Sequence, residues 1–363
     1  MRYGQRVTSR SRTLLLVLSG LLVAGAITAY RQFLANDDNI TPYPIFSGAD
    51  AARGELPGPE IPHAELPATK LSPETRLPLA TKLFFVSDTQ APLLIERVRL
   101  QADGNEQATA ALFSLVAAAG PPSTVFHLGD ITAMGSSGTA WQRIDRELEK
   151  LRQARVDFYP ALGNHEYMIA AGKGKASFFA RFPYAEPGWY VTRRGGVAVV
   201  LLNSNFTHLG DDERAAQREW YAETLRTLEA DAAVRAILVG CHHAPYTNSE
   251  IVDPCEEVQR FFVPLYLRHS KCKLFLSGHA HAFEHFVIEG KDFVVIGGAG
   301  GLLHPLLQGE DRRWNDRYPE PLKRRFFHYF ECTFPAEGLL GRVLKIDPHS
   351  TGAVESYRLV IPY

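Results

Sequence analysis

Short apolar runs rich in β-branched and aromatic residues recur along the chain from Thr81, and polar residues follow each of them. Runs of this kind are typical of strands that are buried on both faces. The first six cover residues 83–87, 124–128, 157–162, 197–203, 236–241 and 273–277. Between them, residues 139–154 and 211–229 have the apolar spacing of helices, with Thr139 and Asp211 as candidate N-caps. This alternation predicts an α/β domain with a largely parallel sheet.

The pattern changes after residue 281, where the remaining runs are strand-like. They cover residues 283–289, 293–296, 326–334, 339–346 and 354–361. We therefore expect antiparallel additions or a second sheet in the last quarter of the chain.

The amino terminus has the pattern of a membrane segment. A basic stretch, residues 1–12, contains Arg2, Arg6, Arg10 and Arg12 and precedes the uncharged residues 13–30. Eighteen helical residues rise about 27 Å, enough to cross a hydrocarbon core. Positive charge ahead of the segment predicts a cytoplasmic amino end and an exported chain. A cleaved signal peptide is the alternative, because residues 24–26 read Ala-Gly-Ala, but the apolar run continues past that site and favours a retained anchor. We expect the folded domain in the periplasm or at the cell surface, or secreted if the segment is cleaved.

Residues 31–80 are rich in proline and small residues and predict an extended linker before a folded domain at 81–363. The alternative is an ordered strap on the domain, held by Leu66, Leu71, Leu77 and Leu79. The chain is 45% hydrophobic and 22% charged, which allows a large core. Its net charge of -1 and the lack of a nucleic-acid-binding motif predict no nucleic-acid partner. Of the four cysteines, Cys255 and Cys272 flank a probable helix, and a disulfide between them stays open.

Polar residues with metal-binding side chains follow five of the predicted strands. Because strand carboxyl ends share one crevice in an open α/β sheet, we expect these side chains to converge. Each motif alone also fits a turn or a helix cap, whereas the series together favours a metal site. Oxygen and imidazole ligands without thiolate suit Mn, Fe, Zn or Mg. The motifs are Asp88-Thr89-Gln90, Gly129-Asp130, Gly163-Asn164-His165-Glu166, His242-His243-Ala244-Pro245 and Gly278-His279-Ala280-His281.

This series resembles the calcineurin-like metallophosphoesterase superfamily over about residues 81–300, including its purple acid phosphatase-like branch. The glycine-rich residues 297–301 are similar to the same branch. The resemblance implies an α/β fold, a four-layer α/β/β/α sandwich of two mixed sheets, with a dinuclear metal site at the strand ends. It also implies two divalent cations (Mn, Fe, Zn or Mg) and a phosphate-ester substrate.

Carried over by position, the resemblance assigns ligands to both metals. One metal would be held by Asp88, Gln90, Asp130 and His281, and the other by Asp130, Asn164, His242 and His279. His165 would be catalytic, donating a proton to the leaving group or stabilising charge on the phosphoryl group. His243 would face the substrate phosphate, although an exchange of roles between His242 and His243 stays open.

Two positions depart from the family pattern. Gln90 replaces the usual histidine and offers only an amide oxygen. Ala133 replaces the aspartate that orients the catalytic histidine in many relatives, or the tyrosine that ligates ferric iron in purple enzymes. The resemblance therefore predicts no ferric-tyrosinate centre, and Glu166 is the candidate for orienting His165.

The expected reaction is hydrolysis of a phosphomonoester, or of a phosphodiester, by attack of a metal-bridging hydroxide. The alternatives are a pyrophosphate or nucleotide hydrolase with the same site and a non-catalytic interaction protein of the same fold. Residues 203–205 are weaker candidates for lining the cleft. Five histidines without matched spacing are interpreted as surface or core residues: His269, His285, His304, His328 and His349.

Overall fold

The structure, a computed structural model, describes residues 40–47, 52–53, 82–92, 104–350 and 352–363. The predicted basic segment and membrane segment lie outside the described residues. Among the helices of the described ranges, none combines the length and the apolar character that a membrane crossing requires. The predicted anchor therefore stays a prediction.

The strands fall into two mixed sheets. In chain order the strands are β1 (Ala52–Arg53), β2 (Leu83–Val86), β3 (Thr124–His127), β4 (Asp157–Pro160), β5 (Tyr190–Arg194), β6 (Val197–Leu201), β7 (Ala236–Cys241), β8 (Cys272–Ser277), β9 (Phe283–Ile288), β10 (Lys291–Ile296), β11 (His328–Thr333), β12 (Gly338–Ile346) and β13 (Ala353–Pro362). The seven-stranded sheet has the order β1-β5-β6-β7-β8-β10-β9, and the six-stranded sheet has the order β13-β12-β11-β2-β3-β4.

Each sheet has a parallel centre and antiparallel additions. Strands β2, β3 and β4 are parallel, and β11 to β13 extend that sheet antiparallel to β2 and to one another. In the other sheet β6, β7, β8 and β10 are parallel, with β5 and β9 antiparallel beside them. The antiparallel additions were predicted. The six runs predicted as one sheet are divided between two, because periodicity alone does not say which strands pair.

Helices cover the outer faces of both sheets. They are α1 (Asn105–Ala119), α2 (Gly138–Gln153), α3 (Asn164–Tyr167), α4 (Ala171–Arg181), α5 (Asp211–Ala230), α6 (Glu256–Phe261) and α7 (Val263–Arg268). Helices α1 and α2 pack on the six-stranded sheet, and α5 to α7 pack on the seven-stranded sheet. The four-layer α/β/β/α sandwich is thus confirmed.

Aromatic side chains fill the space between the two sheets. Phe85, Phe126 and Tyr159 stack across three neighbouring strands of the six-stranded sheet, with ring centroids 5.1 and 5.6 Å apart. Tyr159 also contacts Tyr190 of the opposite sheet at 6.3 Å. Each such ring removed from water contributes roughly 1.5–3 kcal/mol. This packing holds the carboxyl ends of strands from both sheets at one edge of the sandwich.

The two predicted N-caps were wrong by one or two residues. Helix α2 is capped by Ser137, whose hydroxyl accepts the Ala140 N–H at 3.3 Å. Helix α5 begins after Gly210, and the Glu213 carboxylate accepts the Gly210 N–H at 2.9 Å. Thr139 and Asp211 therefore lie in the first turns, because neighbouring residues satisfy the free amides.

Part of the predicted linker, residues 40–47, lies on the domain. The four leucines on which the strap alternative rests lie outside the described residues: Leu66, Leu71, Leu77 and Leu79. The Tyr43 hydroxyl donates to the Val156 carbonyl at 2.5 Å, and the Tyr43 N–H donates to the Arg181 carbonyl at 2.7 Å. Strand β1 pairs with β5. The remaining linker residues lie outside the described ranges.

All four cysteines are free, so the candidate disulfide between Cys255 and Cys272 is not formed in this structure. The Cys255 thiol instead donates to the Glu257 carboxylate at 3.7 Å. Cys272 is buried at the start of β8.

Candidate metal centre

Strand ends of both sheets bring predicted ligands together in two groups. Asp88, Asp130 and His281 form one, which we call the carboxylate group. His242, His243 and His279 form the other, the imidazole group. Within each group the candidate ligand atoms lie within 4.8 Å of one another. A cluster of this size matches the reach of a single coordinated cation.

Asp130 connects the two groups. Its Oδ2 atom lies 3.3 Å from Nε2 of His242, and the Asn164 Oδ1 atom lies 2.9 Å from the same nitrogen. The His242 Nδ1–H donates to the Leu128 carbonyl at 2.9 Å, which leaves a lone pair on Nε2 of the neutral ring. Nε2 therefore faces two oxygen atoms, an arrangement that either a proton on this nitrogen or a cation between the three atoms stabilises.

The same pattern recurs in the carboxylate group. The His281 Nδ1–H donates to the Leu302 carbonyl at 2.8 Å, and Nε2 faces Asp88 Oδ1 at 3.2 Å. Backbone and carboxylate partners of this kind orient histidine ligands in metal sites. Both rings thus present Nε2 to the cleft, as ligation requires.

The charges of the cleft favour a cation. Burial lowers the pKa of His242, but the nearby Asp130 carboxylate outweighs it and raises this pKa to about 9. Burial lowers the pKa of His243 to about 3 and the pKa of His279 well below its usual range. The His243 and His279 rings are therefore neutral and can each offer a lone pair to a metal ion, whereas His242 attracts either a proton or a metal ion.

Gln90 is buried beside the carboxylate group and has an unsatisfied oxygen. Its Nε2 is 3.1 Å from His281 Nε2 and 3.4 Å from Asp130 Oδ2, while its Oε1 is buried without a hydrogen bond. A half turn of the amide about its last side-chain torsion exchanges the positions of oxygen and nitrogen without moving the rest of the side chain. That turn aims the oxygen at the cation position, so the amide fits the predicted ligand role.

His165 is oriented by backbone rather than by a carboxylate. Its Nδ1–H donates to the Ala133 carbonyl at 2.8 Å, and its main-chain N–H donates to Asp130 Oδ1 at 2.8 Å. The ring Nε2 lies 3.8 Å from Asp130 Oδ2. The main-chain oxygen of Ala133 thus orients His165, a role for which the alanine side chain has no polar atom.

The prediction that Glu166 orients His165 was wrong. The Glu166 carboxylate accepts N–H groups of Gly163, Asp130 and Ile131 at 2.7, 2.9 and 2.9 Å. It therefore fixes the loops that carry the ligands. Burial, followed by the charge of Asp130, raises the pKa of this carboxyl to about 7.

His243 lies in the imidazole group beside Ser204. Its ring centroid is 4.9 Å from that of His242 and 4.6 Å from that of His279. The Ser204 hydroxyl accepts the His243 N–H at 2.9 Å and lies 2.9 Å from its Nδ1. Ser204 is thus part of the cleft, and the division of roles between His242 and His243 stays a prediction.

Three of the predicted ligands have left-handed backbone conformations. The φ angles are 63° at Asp88, 55° at Asp130 and 65° at His279. This conformation costs about 1–2 kcal/mol for a residue other than glycine. Such strain persists where surrounding contacts fix it, and it clusters at functional sites. Here it turns each side chain into the cleft directly at a strand end.

The motif glycines allow loops to approach within contact of the ligands. A Cβ atom at Gly163 would lie 2.3 Å from Asp130 Oδ1, and one at Gly129 would lie 2.8 Å from His242 Nδ1. Gly129 also has a φ of 94°. No larger residue fits either position without displacing a ligand.

One residue of the cleft was missed in the sequence. His304 was interpreted as a surface or core histidine, yet its ring stacks on that of His281 with centroids 4.3 Å apart. Its spacing from the motifs gave no signal, because the contact depends on how the loop after β10 returns to the cleft. His285 and His328 are buried core residues, as expected.

Comparison with known proteins is consistent with this arrangement. The family model for calcineurin-like phosphoesterases matches residues 81–283. Among solved structures, purple acid phosphatase PPD1 from yellow lupin is 17% identical with a TM-score of 0.55, over 77% of this chain and 53% of that one. The chain thus spans about half of the lupin enzyme.

Two further structures share the fold. A dimetal phosphatase from Danio rerio is 15% identical with a TM-score of 0.51, over 78% of this chain and 99% of that one. GAP50, the anchor in the inner membrane complex of Plasmodium, is 9% identical with a TM-score of 0.52, over 78% and 88%. Because the family model matches more than half of the 363 residues, this protein belongs to the calcineurin-like phosphoesterase family.

Proposed function

We propose that this protein hydrolyses phosphate monoesters at a centre that holds two divalent cations. The observation that carries the proposal is the position of Asp130. Its carboxylate belongs to one ligand group and lies 3.3 Å from Nε2 of His242 in the other. A carboxylate shared in this way places two cations side by side, as phosphoryl transfer with two metals requires.

In this proposal the donors are divided between the two cations as the motifs predict. Asp88, Gln90, Asp130 and His281 would hold one, and Asp130, Asn164, His242 and His279 would hold the other. Mn, Fe, Zn and Mg all accept such oxygen and imidazole ligands. When bound, the cations would supply Lewis-acid stabilisation of the phosphoryl oxygens and lower the pKa of a water molecule.

His165 is the candidate for proton transfer to the leaving group. Its Nδ1–H is held by the Ala133 carbonyl, so Nε2 is the atom that gains or loses a proton. Its side chain is 14% exposed, which lets substrate reach that atom. The protonated ring donates from Nε2 to the departing oxygen, and a positioned acid of this type contributes about 10²–10⁴-fold. His243 is the candidate for contacting the phosphate.

The test uses the full-length protein, stripped with a chelator and reloaded with Mn, Fe(II), Zn or Mg. We expect two metal ions per chain and hydrolysis of p-nitrophenyl phosphate, with slower hydrolysis of bis-p-nitrophenyl phosphate. Pyrophosphate and nucleotides are assayed in parallel, and a preference for them would replace the monoester proposal. Bound metal without hydrolysis of any phosphate compound would favour a non-catalytic interaction protein. A chain that binds no metal would refute the proposal.

We also propose that residues 13–30 anchor the domain outside the cytoplasm. The basic residues before this segment and the apolar run past residue 26 support a retained anchor. Fractionation should place the protein in the membrane, with the domain accessible to protease from the outer side. A mature amino terminus at residue 27 would show cleavage instead, and protection from external protease would contradict export.

A further inference from the structure

The environment of His304 fixes the tautomer of its ring. The His281 main-chain N–H donates to His304 Nδ1 at 3.3 Å. A backbone N–H can only donate, so Nδ1 is the acceptor of this hydrogen bond. The Ser249 hydroxyl lies 3.1 Å from the same nitrogen. When both groups donate to Nδ1, this nitrogen carries no proton, and the neutral ring carries its proton on Nε2.

The hydrogen bonds of Ser249 support this assignment. Its Oγ accepts N–H groups from Ile251 at 3.1 Å and Val252 at 3.2 Å. With both lone pairs engaged, the hydroxyl has its hydrogen left to donate, and His304 Nδ1 is the acceptor within reach. Ser249 is fully buried, so water does not compete for that hydrogen.

The ring of His304 is also fixed in place beside a candidate ligand. Its plane lies 23° from that of His281, at 4.3 Å between centroids, and its main-chain N–H donates to the His281 carbonyl at 3.0 Å. The two rings have opposite tautomers. His281 presents a lone pair at Nε2, because its Nδ1–H donates to Leu302, whereas His304 presents an N–H.

The Nε2–H of His304 has no protein acceptor in the part of the chain that the structure describes. His285 shows what a structural histidine looks like here, with Tyr357 and Asp292 at 2.9 and 2.8 Å from its two ring nitrogens. A fixed donor without an acceptor, stacked on a metal ligand, matches the need of a phosphoryl oxygen for hydrogen bonds.

We propose that His304 is a further substrate-binding residue, whose Nε2–H donates to an oxygen of the phosphate group bound beside His281. Ser249 is its positioning residue, because it keeps Nδ1 unprotonated. This inference rests on the proposed function. In this proposal His304 binds the phosphate oxygen nearest the carboxylate group, whereas His165 and His243 contact the substrate on the side of the imidazole group.

Two substitutions at His304 distinguish the contribution of Nε2 from that of Nδ1. Glutamine places its amide N–H near the position of Nε2, and asparagine places it near Nδ1. We expect H304Q to bind inorganic phosphate within about threefold of wild type, and H304N to bind roughly tenfold to a hundredfold more weakly. Calorimetric titration of phosphate into the full-length Mn-loaded protein measures both, with metal content determined on the same samples.

A second readout needs neither metal nor activity. Long-range ¹H–¹⁵N spectra of ¹⁵N-histidine-labelled full-length protein distinguish the two tautomers, and loss of a signal in H304N assigns it. We expect the Nε2–H form in wild type. In S249A we expect a mixture of tautomers and phosphate binding that is weakened by about threefold to tenfold.

Several results would overturn the inference. They are an Nδ1–H tautomer in wild type, equal phosphate affinity in H304Q, H304N and wild type, or loss of metal in both variants, which would make His304 a support for His281 only. Ester hydrolysis with unaltered phosphate binding in H304N would remove this inference alone. A wild type that binds Mn and phosphate but hydrolyses no ester would remove the proposed function, and the titration would still decide the role of His304.

Discussion

The two ligand groups differ in charge. The carboxylate group contains Asp88 and Asp130, two buried carboxylates, beside one imidazole. The imidazole group has no carboxylate of its own, and burial keeps His243 and His279 neutral by lowering the pKa of each ring. Its negative charge comes from Asp130, 3.3 Å from His242.

This difference implies that the two cations of the proposed centre would not be held by independent sites. Two unit charges 4 Å apart interact by about 4 kcal/mol at an effective dielectric constant of 20, so carboxylates dominate cation affinity in a buried cleft. The carboxylate group should therefore fill at lower metal concentration. The imidazole group should fill second, and only while Asp130 is ionised.

Removing the shared carboxylate should have the largest effect. D130N keeps the shape of the side chain but deprives both groups of a charge, so we expect fewer than one tightly bound Mn per chain. Activity on p-nitrophenyl phosphate should fall by about 10³-fold or more, since the metals supply several kcal/mol of transition-state stabilisation. Elemental analysis and steady-state kinetics measure the two effects. Retention of two metals in D130N would show that Asp130 does not bridge them.

Moving the shared carboxylate without removing it should have the next largest effect. In G163A the new Cβ would lie 2.3 Å from Asp130 Oδ1, so Asp130 must shift. We expect activity to fall by about 10²-fold, as misplacement by about 1 Å does, and the free energy of unfolding to fall by about 1–3 kcal/mol.

The matched control is G172A in helix α4, where a Cβ would meet nothing within 4 Å. We expect full activity and stability that is unchanged or higher by up to about 1 kcal/mol. Kinetics and denaturant unfolding of both variants are measured together. Normal activity in G163A would mean that the close approach to Asp130 is not needed to place the carboxylate.

Removing one histidine from each group should distinguish the metal affinity of the carboxylate group from that of the imidazole group. H279A takes a ligand from the group without its own carboxylate, so we expect one Mn per chain instead of two. H281A leaves Asp88 and Asp130 in place, so we expect two metals, with the first bound roughly tenfold to a hundredfold more weakly. Metal titration with a competing chelator measures both. The reverse order of losses would contradict the role given to the carboxylates.

The sequence carried enough information to predict both the layers and most of the cleft. Every apolar run predicted as a strand is one. Strands β2, β3, β4, β6 and β7 are buried at every position, which explains why their sequences read as continuous runs. The motifs at strand ends converge because parallel strands of each sheet end at the same edge. Strand β5 was missed, since the last three residues of Tyr190–Arg194 are a threonine and two arginines and leave no apolar run.

What the sequence did not reveal depends on main-chain atoms and loop paths. The Ala133 carbonyl orients His165, and no side chain marks a carbonyl in a sequence. Glu166 was assigned to the wrong partner because its spacing suits both an imidazole and the amides that it actually binds. His304 reaches the cleft through a loop whose course follows from hydrogen bonds to residues 55 positions away, at Ser249.

Restoring the usual histidine at position 90 should have the smallest effect and sharpen the comparison of the two groups. The Gln90 amide oxygen is a neutral donor, and an imidazole nitrogen binds Mn, Fe or Zn more strongly. We expect Q90H to bind the first metal about tenfold more tightly and the second unchanged, because Gln90 contacts the carboxylate group through His281 and Asp130. Q90A, which offers no ligand, is the matched control and should weaken the first metal alone. Competition with a chelating dye resolves the two affinities. Equal changes at both metals would mean that Gln90 acts through Asp130 rather than as a ligand, and no change in either variant would remove Gln90 from the ligand set.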